Sequence, residues 1–208
     1  MVTGAFGLVG TATINKLASE GRRVVATDLK TPAYVRAARQ LPAGVEVKWA
    51  DLTDQAELNE VLNSSSPSVI IHLVGMIAPA IYRNSALGRK INVDITRALV
   101  AAASALPEPP RIVHASSVAV FGPRNPFHHP GKAEENTPTL PNEVYGATKL
   151  ESEQAVRAST LDWVILRLGA VVSTRLMSML SGWDILLFES ALPTDGRIHT
   201  VDVRDVAK

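Results

Sequence analysis

The chain has 208 residues, of which 46% are hydrophobic and 20% charged, and its 21 basic and 20 acidic residues leave a net charge of +1. This composition is typical of a globular protein and excludes a disordered chain. The charge is balanced and no long run of like charges occurs, so nothing predicts a nucleic-acid or anionic-membrane partner.

Cysteine is absent, which excludes disulfides, thiolate metal ligands and cysteine nucleophiles. No apolar run reaches the roughly 18 residues that a membrane span needs, and the N-terminus lacks the basic start of a signal peptide. We therefore expect a cytoplasmic protein with no membrane partner.

Short β-branched runs alternate with helical stretches along the chain. The runs predict buried strands, at residues 22–28, 45–51, 68–75, 111–117 and 163–169. The stretches between them predict helices, at about residues 8–20, 54–63, 86–106 and 143–159. This alternation predicts an α/β fold, a doubly wound parallel sheet with right-handed crossovers.

Residues 3–10 read TGAFGLVG and space three glycines, Gly4, Gly7 and Gly10, as G-x-x-G-x-x-G. Glycines at this spacing permit a tight turn and let backbone N–H groups approach a pyrophosphate at a helix N-terminus. A plain glycine-rich turn is the alternative.

Asp28 ends the next predicted strand, where an acid can accept hydrogen bonds from the ribose hydroxyls of a dinucleotide. A carboxylate there also repels a 2′-phosphate, so it favours NAD over NADP. Lys30 and Arg23 lie near in sequence and could soften that preference. Together with the glycines, Asp28 predicts dinucleotide binding.

Two further strand ends carry candidate cofactor residues. Asp51, followed by Leu52, could accept a hydrogen bond from the adenine amino group, or it could cap the next helix. Gly75, in HLVGM, would let the backbone pass close to the cofactor, whereas His72 is interpreted as a core histidine.

Tyr145 and Lys149 in NEVYGATKLE stand four residues apart, on one face of a predicted helix. A nearby ammonium should lower the pKa of the tyrosine and poise it for proton transfer. The hydroxyl that holds the substrate oxygen could come from Ser116 or Ser117, at the carboxyl end of a predicted strand.

These segments together resemble the extended branch of the short-chain dehydrogenase/reductase superfamily, the NAD-dependent epimerase/dehydratase family. The resemblance runs through TGAFGLVG, Asp28, Asp51, HLVG, KINVDITRAL, SSVAVFG, YGATK, LRLGAVV and IHTVDVRDVA.

The resemblance implies a Rossmann fold, an NAD cofactor, a small-molecule substrate and a homodimer. It implies that Ser117, Tyr145 and Lys149 are catalytic. It also implies a set of cofactor-binding residues: Gly4, Phe6, Gly7, Leu8, Gly10, Asp28, Asp51, Leu52, Leu73, Val74, Gly75, Asn92, Tyr145 and Lys149.

The implied activity is that of an NAD-dependent oxidoreductase or epimerase acting on a hydroxyl or carbonyl carbon, foremost of a nucleotide sugar. A 3β-hydroxysteroid dehydrogenase-like enzyme or another small-carbonyl reductase is the alternative, and an NAD-binding regulatory protein is the non-enzyme alternative. Dehydratase chemistry is disfavoured, because Ser-Ser-Val-Ala stands where the 4,6-dehydratases carry a Thr-Asp-Glu run. Arg167 is expected to be structural.

The remaining expectations concern organisation. We expect an NAD-binding domain over residues 1–168 and the start of a substrate-binding region over 169–208, in a fragment of a longer protein. The Pro- and Gly-rich stretch 122–141 covers a ligand site or is a surface loop. His128 and His129 predict no metal site, and the apolar segment 177–188 is interpreted as a packed helix or as a pocket wall.

Overall fold

The computed structural model describes residues 1–123, 131–173 and 200–208. Its main feature is a parallel sheet of six strands in the spatial order β3-β2-β1-β4-β5-β6. The strands are β1 Val2–Thr3, β2 Val25–Asp28, β3 Glu46–Trp49, β4 Val69–His72, β5 Arg111–Ser117 and β6 Trp163–Leu168. Five of these six strands lie within the predicted runs, and β1 is the short strand before the glycines.

Helices connect the strands. They are α1 Leu8–Ser19, α2 Pro32–Ala38, α3 Gln55–Ser65, α4 Ala80–Arg83, α5 Ser85–Arg89, α6 Ile95–Ser104 and α7 Val144–Arg157. In the part of the chain that the structure describes, no helix is long and apolar enough to cross a membrane.

The predicted helix at 86–106 is interrupted. A π-helical turn, Lys90–Asp94, separates α5 from α6, and Asn92 is buried within it. Such turns are frequent at functional sites. The sequence prediction also missed α2, although Thr31 caps it and Pro32 occupies its first turn, a common helix start.

Apolar side chains cover both faces of the sheet. On one face Ile70 and Ile112 pack against Leu58 of α3 and Leu99 of α6. On the other face Val2, Val24 and Ala26 pack against Ile14 of α1. Each fully buried Leu or Ile contributes roughly 1.5–3 kcal/mol. Burial on both faces confirms the predicted doubly wound sheet.

A second, two-stranded parallel sheet joins β7 Ala170–Val172 to β8 Thr200–Asp202. Helix α8, Val203–Val206, follows β8 and packs against α1. The described part of the segment IHTVDVRDVA thus forms a strand followed by a short helix. The predicted domain boundary after residue 168 coincides with the end of β6 and stays a prediction.

Candidate active site

The glycine turn between β1 and α1 leaves no room for a side chain at Gly4 or at Gly10. Gly4 has φ +67° and packs against the backbone of Val74, which a Cβ on Gly4 would approach to 2.9 Å. A Cβ on Gly10 would lie 2.2 Å from the carbonyl oxygen of Gly4. Gly7 is the N-cap of α1 and offers its first turn no side-chain cap, and Leu8 begins the helix partly exposed. The turn therefore presents bare backbone at a helix N-terminus.

Asp28 is the last residue of β2 and points at this turn. Its carboxylate accepts hydrogen bonds from the backbone N–H of Phe6 at 3.1 Å and of Leu29 at 2.9 Å. Burial raises the pKa of Asp28, and these two hydrogen bonds oppose that rise. The carboxylate is thus held against the glycine turn that follows β1.

Arg23 does not lie near Asp28. It precedes β2 and pairs with Glu46, the first residue of β3, at 3.6 Å. Arg23 is therefore at the amino ends of the strands, and the expectation that it softens the cofactor preference is wrong.

An aromatic cluster surrounds the turn, and sequence reasoning missed it. The ring of Phe6 stacks against Tyr34 of α2 at 5.5 Å and against Trp49, the last residue of β3, at 5.3 Å. The available signal was an aromatic residue inside a glycine turn and another at a strand end.

Asp51 forms a local turn after β3 and does not cap α3. Its carboxylate accepts from the N–H of Thr53 at 2.9 Å, while Asp54 caps the helix by accepting from Ala56 and Glu57. The capping interpretation of Asp51 is therefore wrong. Asp51 lines an open groove of about 840 Å³ beside β3, together with Lys30 and Trp49. Leu52, in contrast, is buried in the core.

The segment after β4 joins the turn to the catalytic candidates. Leu73 and Val74 pack against Gly4, and a Cβ on Gly75 would lie 3.2 Å from the Nζ of Lys149. Asn92 holds this segment: its Oδ1 accepts from the N–H of Met76 at 2.6 Å, and its Nδ2 donates to the Met76 carbonyl at 3.0 Å.

Asn92 also contacts α7, because its Nδ2 donates to Thr148 Oγ1 at 3.0 Å. The π-helical turn thus places one amide side chain between the end of β4 and the helix of Tyr145 and Lys149.

Ser117, Tyr145 and Lys149 come together at the carboxyl end of β5. Ser117 ends that strand, and the Ser117 side chain hydrogen-bonds to Tyr145. Lys149 is buried and donates from Nζ to the carbonyl of Ala115 at 2.8 Å. Ser116 Oγ instead donates a hydrogen bond to Glu153 Oε1 at 2.5 Å.

The charge states of the pair differ from what the spacing predicted. Burial raises the pKa of Tyr145, the hydrogen bond with Ser117 lowers it, and the carboxylate of Glu143 raises it. Burial lowers the pKa of Lys149 to about 8. At neutral pH the phenol therefore holds its proton. The expected lowering of the Tyr145 pKa by Lys149 is not what these contacts produce.

His72 is buried in the core, as predicted. Thr96 Oγ1 donates to the carbonyl of Asn92 at 2.8 Å, so it accepts from His72 Nε2 at 3.1 Å. The Nδ1 atom of His72 then accepts from Thr3 Oγ1 at 2.8 Å. This pattern requires a neutral ring, and burial lowers the pKa of His72 to about 3.

His114 stacks on His72 at 5.5 Å between ring centres. Ser152 Oγ donates to the Lys149 carbonyl at 2.7 Å and accepts from His114 Nε2 at 3.0 Å. Burial lowers the pKa of His114 well below its usual value. Two neutral histidines therefore lie close to Lys149.

Glu143 caps α7 beside Tyr145. Its carboxylate accepts from the N–H of Tyr145 at 2.7 Å, from the N–H of Gly146, and from Tyr82 Oη at 2.9 Å. Sequence reasoning missed this role of Glu143, because the residues that usually cap a helix N-terminus are Ser, Thr, Asp and Asn.

The residues at this edge fit a dinucleotide. The bare glycine turn at the start of α1 matches a pyrophosphate, and the Asp28 carboxylate on the neighbouring strand matches a ribose diol. His128 and His129, and the segment 177–188, lie outside the described residues.

Known proteins are similar to this chain in sequence over part of their own length. The model of the NAD dependent epimerase/dehydratase family matches residues 1–183. D-erythronate dehydrogenase of Cupriavidus necator is 26% identical over 82% of this chain and 54% of its own length. UDP-glucose 4-epimerase 4 of Oryza sativa subsp. japonica is 28% identical over 81% of this chain and 47% of its own. The chain thus spans about half the length of these curated relatives.

Solved structures share the fold. The UDP-glucose 4-epimerase of Thermus thermophilus, in complex with NAD, superimposes with a TM-score of 0.79 at 24% identity, over 99% of this chain and 71% of that one. The family match confirms the resemblance seen in the sequence and, at the level of the family, the predicted dependence on NAD. The chain belongs to the NAD-dependent epimerase/dehydratase family.

Proposed function

We propose that this chain forms the cofactor-binding and catalytic part of an NAD-dependent oxidoreductase or epimerase that acts on a hydroxyl-bearing carbon. The observation that carries the proposal is the meeting of Ser117, Tyr145 and Lys149 beside Gly75, which joins them to the glycine turn through Val74.

Tyr145 is the proton carrier in this proposal. Because its pKa is raised, it holds a proton at neutral pH and can donate it to a carbonyl oxygen during reduction. In the oxidative direction the phenolate takes the proton of the substrate hydroxyl, so oxidation should speed up as the pH rises. Ser117, whose side chain hydrogen-bonds to Tyr145, holds the same substrate oxygen.

Lys149 supplies positive charge next to this oxygen site. It is buried, and its hydrogen bond to Ala115 fixes the ammonium between β5 and the segment of Gly75. Its pKa of about 8 keeps it charged at neutral pH.

Bound NAD supplies the acceptor for the hydride that leaves the substrate carbon. The glycine turn of Gly4, Gly7 and Gly10 would hold its pyrophosphate and Asp28 its adenosine ribose. Lys149 would hydrogen-bond the nicotinamide ribose of NAD. Asn92 keeps the strand end and α7 in place around it.

A nucleotide sugar is the proposed substrate, supported by the relative from Oryza sativa that is named a UDP-glucose 4-epimerase. A small hydroxy acid is the second candidate, supported by the relative from Cupriavidus necator that is named a D-erythronate dehydrogenase. A hydroxysteroid rests on the sequence resemblance alone.

A homodimer, a cytoplasmic location and a division into two domains are also proposed. The resemblance supports a homodimer, and the lack of cysteine supports a cytoplasmic location. The end of β6 supports a division between a cofactor-binding domain and a substrate region near residue 168.

The test is a comparison of the chain with Tyr145→Phe and the control Tyr82→Phe. NADH formation from NAD is followed with UDP-glucose, UDP-galactose and D-erythronate as probes, and the sugar products are separated. We expect the parent chain to turn over at least one probe. Tyr145→Phe should lower that turnover by at least about a hundredfold while NADH still binds, and Tyr82→Phe should retain it. NADH binding without turnover of any probe would favour the regulatory alternative.

A further inference from the structure

Glu153 is a buried acid that the proposed reaction does not use. Its side chain is 1% exposed. It accepts hydrogen bonds from Ser116 Oγ at 2.5 Å and from Arg167 Nε and Nη2 at 2.9 and 2.8 Å. Arg157 approaches the same carboxylate at 3.8 Å from the solvent side.

These contacts join the elements that carry the candidate catalytic residues. Glu153 lies on α7 one turn after Lys149, so the two side chains share a helix face. Ser116 directly precedes Ser117 on β5, and it is paired in register with Arg167 of β6. One carboxylate therefore connects α7 to both strands at the catalytic edge of the sheet.

We propose that Glu153 is a positioning residue for the proposed reaction: its carboxylate holds the Ser116–Ser117 end of β5 in register with the helix face that carries Tyr145 and Lys149. The inference rests on the proposed function for its role in turnover. The geometry does not depend on that function.

The charge of Glu153 also acts on Lys149. Burial of Lys149 disfavours its ammonium, and Glu153 opposes this effect on the Lys149 pKa. The other titratable groups around Lys149 are His72 on β4, His114 on β5 and Tyr145 on α7. The hydrogen bonds of His72 require a neutral ring, and burial lowers the pKa of His114 well below its usual value. Glu153 is thus the acid that favours the charged form of Lys149.

A purely structural ion pair would behave differently. Breaking a buried pair destabilises the fold, but that loss does not predict a change in the titration of Lys149 or in the surroundings of Ser117. Burial would raise the pKa of Glu153, but the hydrogen bonds from Arg167 and Ser116 hold it below its usual value. The acid is therefore charged whenever Lys149 titrates.

The experiment is an NMR pH titration of the Lys149 side chain in the full chain, with the amide signal of Ala119 as the probe of Ser117, because that amide donates to Ser117 Oγ. The variants are Glu153→Gln and Ser116→Ala, and Arg157→Gln is the control. A double variant, Glu153→Gln with Arg167→Gln, covers the case in which an uncompensated Arg167 prevents folding.

We expect Glu153→Gln, alone or in the double variant, to lower the Lys149 titration midpoint by about one pH unit. Ser116→Ala should shift the Ala119 amide without moving Lys149, and should lower kcat about tenfold with unchanged NADH affinity. Arg157→Gln should change neither signal.

An unmoved Lys149 midpoint in the Glu153 variants, together with an unmoved Ala119 signal in Ser116→Ala, would overturn the inference. Both NMR readouts need neither NAD nor a substrate. A chain that fails to turn over any substrate would refute the proposed function and leave this result standing.

Discussion

Replacing Gly10 with alanine should damage the glycine turn in a way that the structure allows us to estimate. The new Cβ would lie 2.2 Å from the carbonyl oxygen of Gly4 and 2.8 Å from that of Ala5. Both neighbours are backbone atoms of the turn itself, so they cannot move aside as a flexible side chain would. The turn and the first residues of α1 must separate by about 1 Å to restore an ordinary contact.

Overpacking of this kind costs about 1–3 kcal/mol. Because Gly10 lies in α1, the better helix propensity of alanine offsets up to about 1 kcal/mol of that cost. We therefore expect Gly10→Ala to lower the free energy of unfolding by up to about 2 kcal/mol. Displacement of the backbone N–H groups should weaken NADH binding at least about tenfold.

Urea unfolding and NADH fluorescence titration measure the two effects separately. Gly131→Ala is the matched control, since a Cβ on Gly131 meets nothing within 4 Å. Gly7→Ala should be milder than Gly10→Ala, because its Cβ would lie 3.3 Å from the Gly4 oxygen. If Gly10→Ala keeps both the stability and the NADH affinity of the parent chain, the interpretation of the turn as a cofactor cradle is refuted.

Three further predictions concern Asp28, the buried histidines and Gly75. Asp28→Asn should weaken NADH binding about tenfold and reduce the discrimination against NADPH, because it removes the carboxylate that would repel a 2′-phosphate; fluorescence titration with both cofactors checks this, and unchanged discrimination would contradict it. Since burial lowers the folded pKa values of His72 and His114, both rings contribute stability that is present above about pH 6.5 and lost as the pH falls below it, for His72 down to about pH 3, at about 1.4 kcal/mol per pH unit for each ring. Urea unfolding between pH 7.5 and 5 should show this slope, relative to a His114→Asn variant with a shallower one, and equal slopes would argue against it. Gly75→Ala would place a Cβ 3.2 Å from Lys149 Nζ, so it should lower kcat more than it destabilises the fold, and a variant with full activity would show that this close approach is unimportant.

Much of the fold could be predicted because five of the six strands lie in short β-branched runs that alternate with helical stretches. The segment Arg111–Ser117, for example, has a predicted helix before it and another after it. This pattern is typical of a strand in a parallel sheet that is covered by helices on both faces. The interruption of the predicted helix at 86–106 could not be predicted from periodicity. The π-helical turn is stabilised by the contacts of Asn92 with Met76 and Thr148, which are distant in sequence.

The candidate site shows the same limit. Gly4, Asp28, Tyr145 and Lys149 were found by spacing, because local geometry at a turn or on a helix face decides where they point. Glu153 was missed, since its partners lie on two other elements and only the register of β5 with β6 brings them to it.

The charge states needed the structure as well. A spacing of four residues predicts that Lys149 is near Tyr145, but burial acts on both groups and moves their pKa values in the opposite sense to a simple ion pair. Sequence alone does not report burial at that level.

We expect the turn of Gly4, Gly7 and Gly10, together with Asp28, to bind NAD. A fluorescence titration of the 208-residue chain with NADH and with NADPH tests it most directly. We expect saturable NADH binding that is at least about tenfold tighter than NADPH binding, and we expect Gly10→Ala to weaken it. Equal affinity for both cofactors would contradict the role of Asp28, and no binding of either would contradict the site itself.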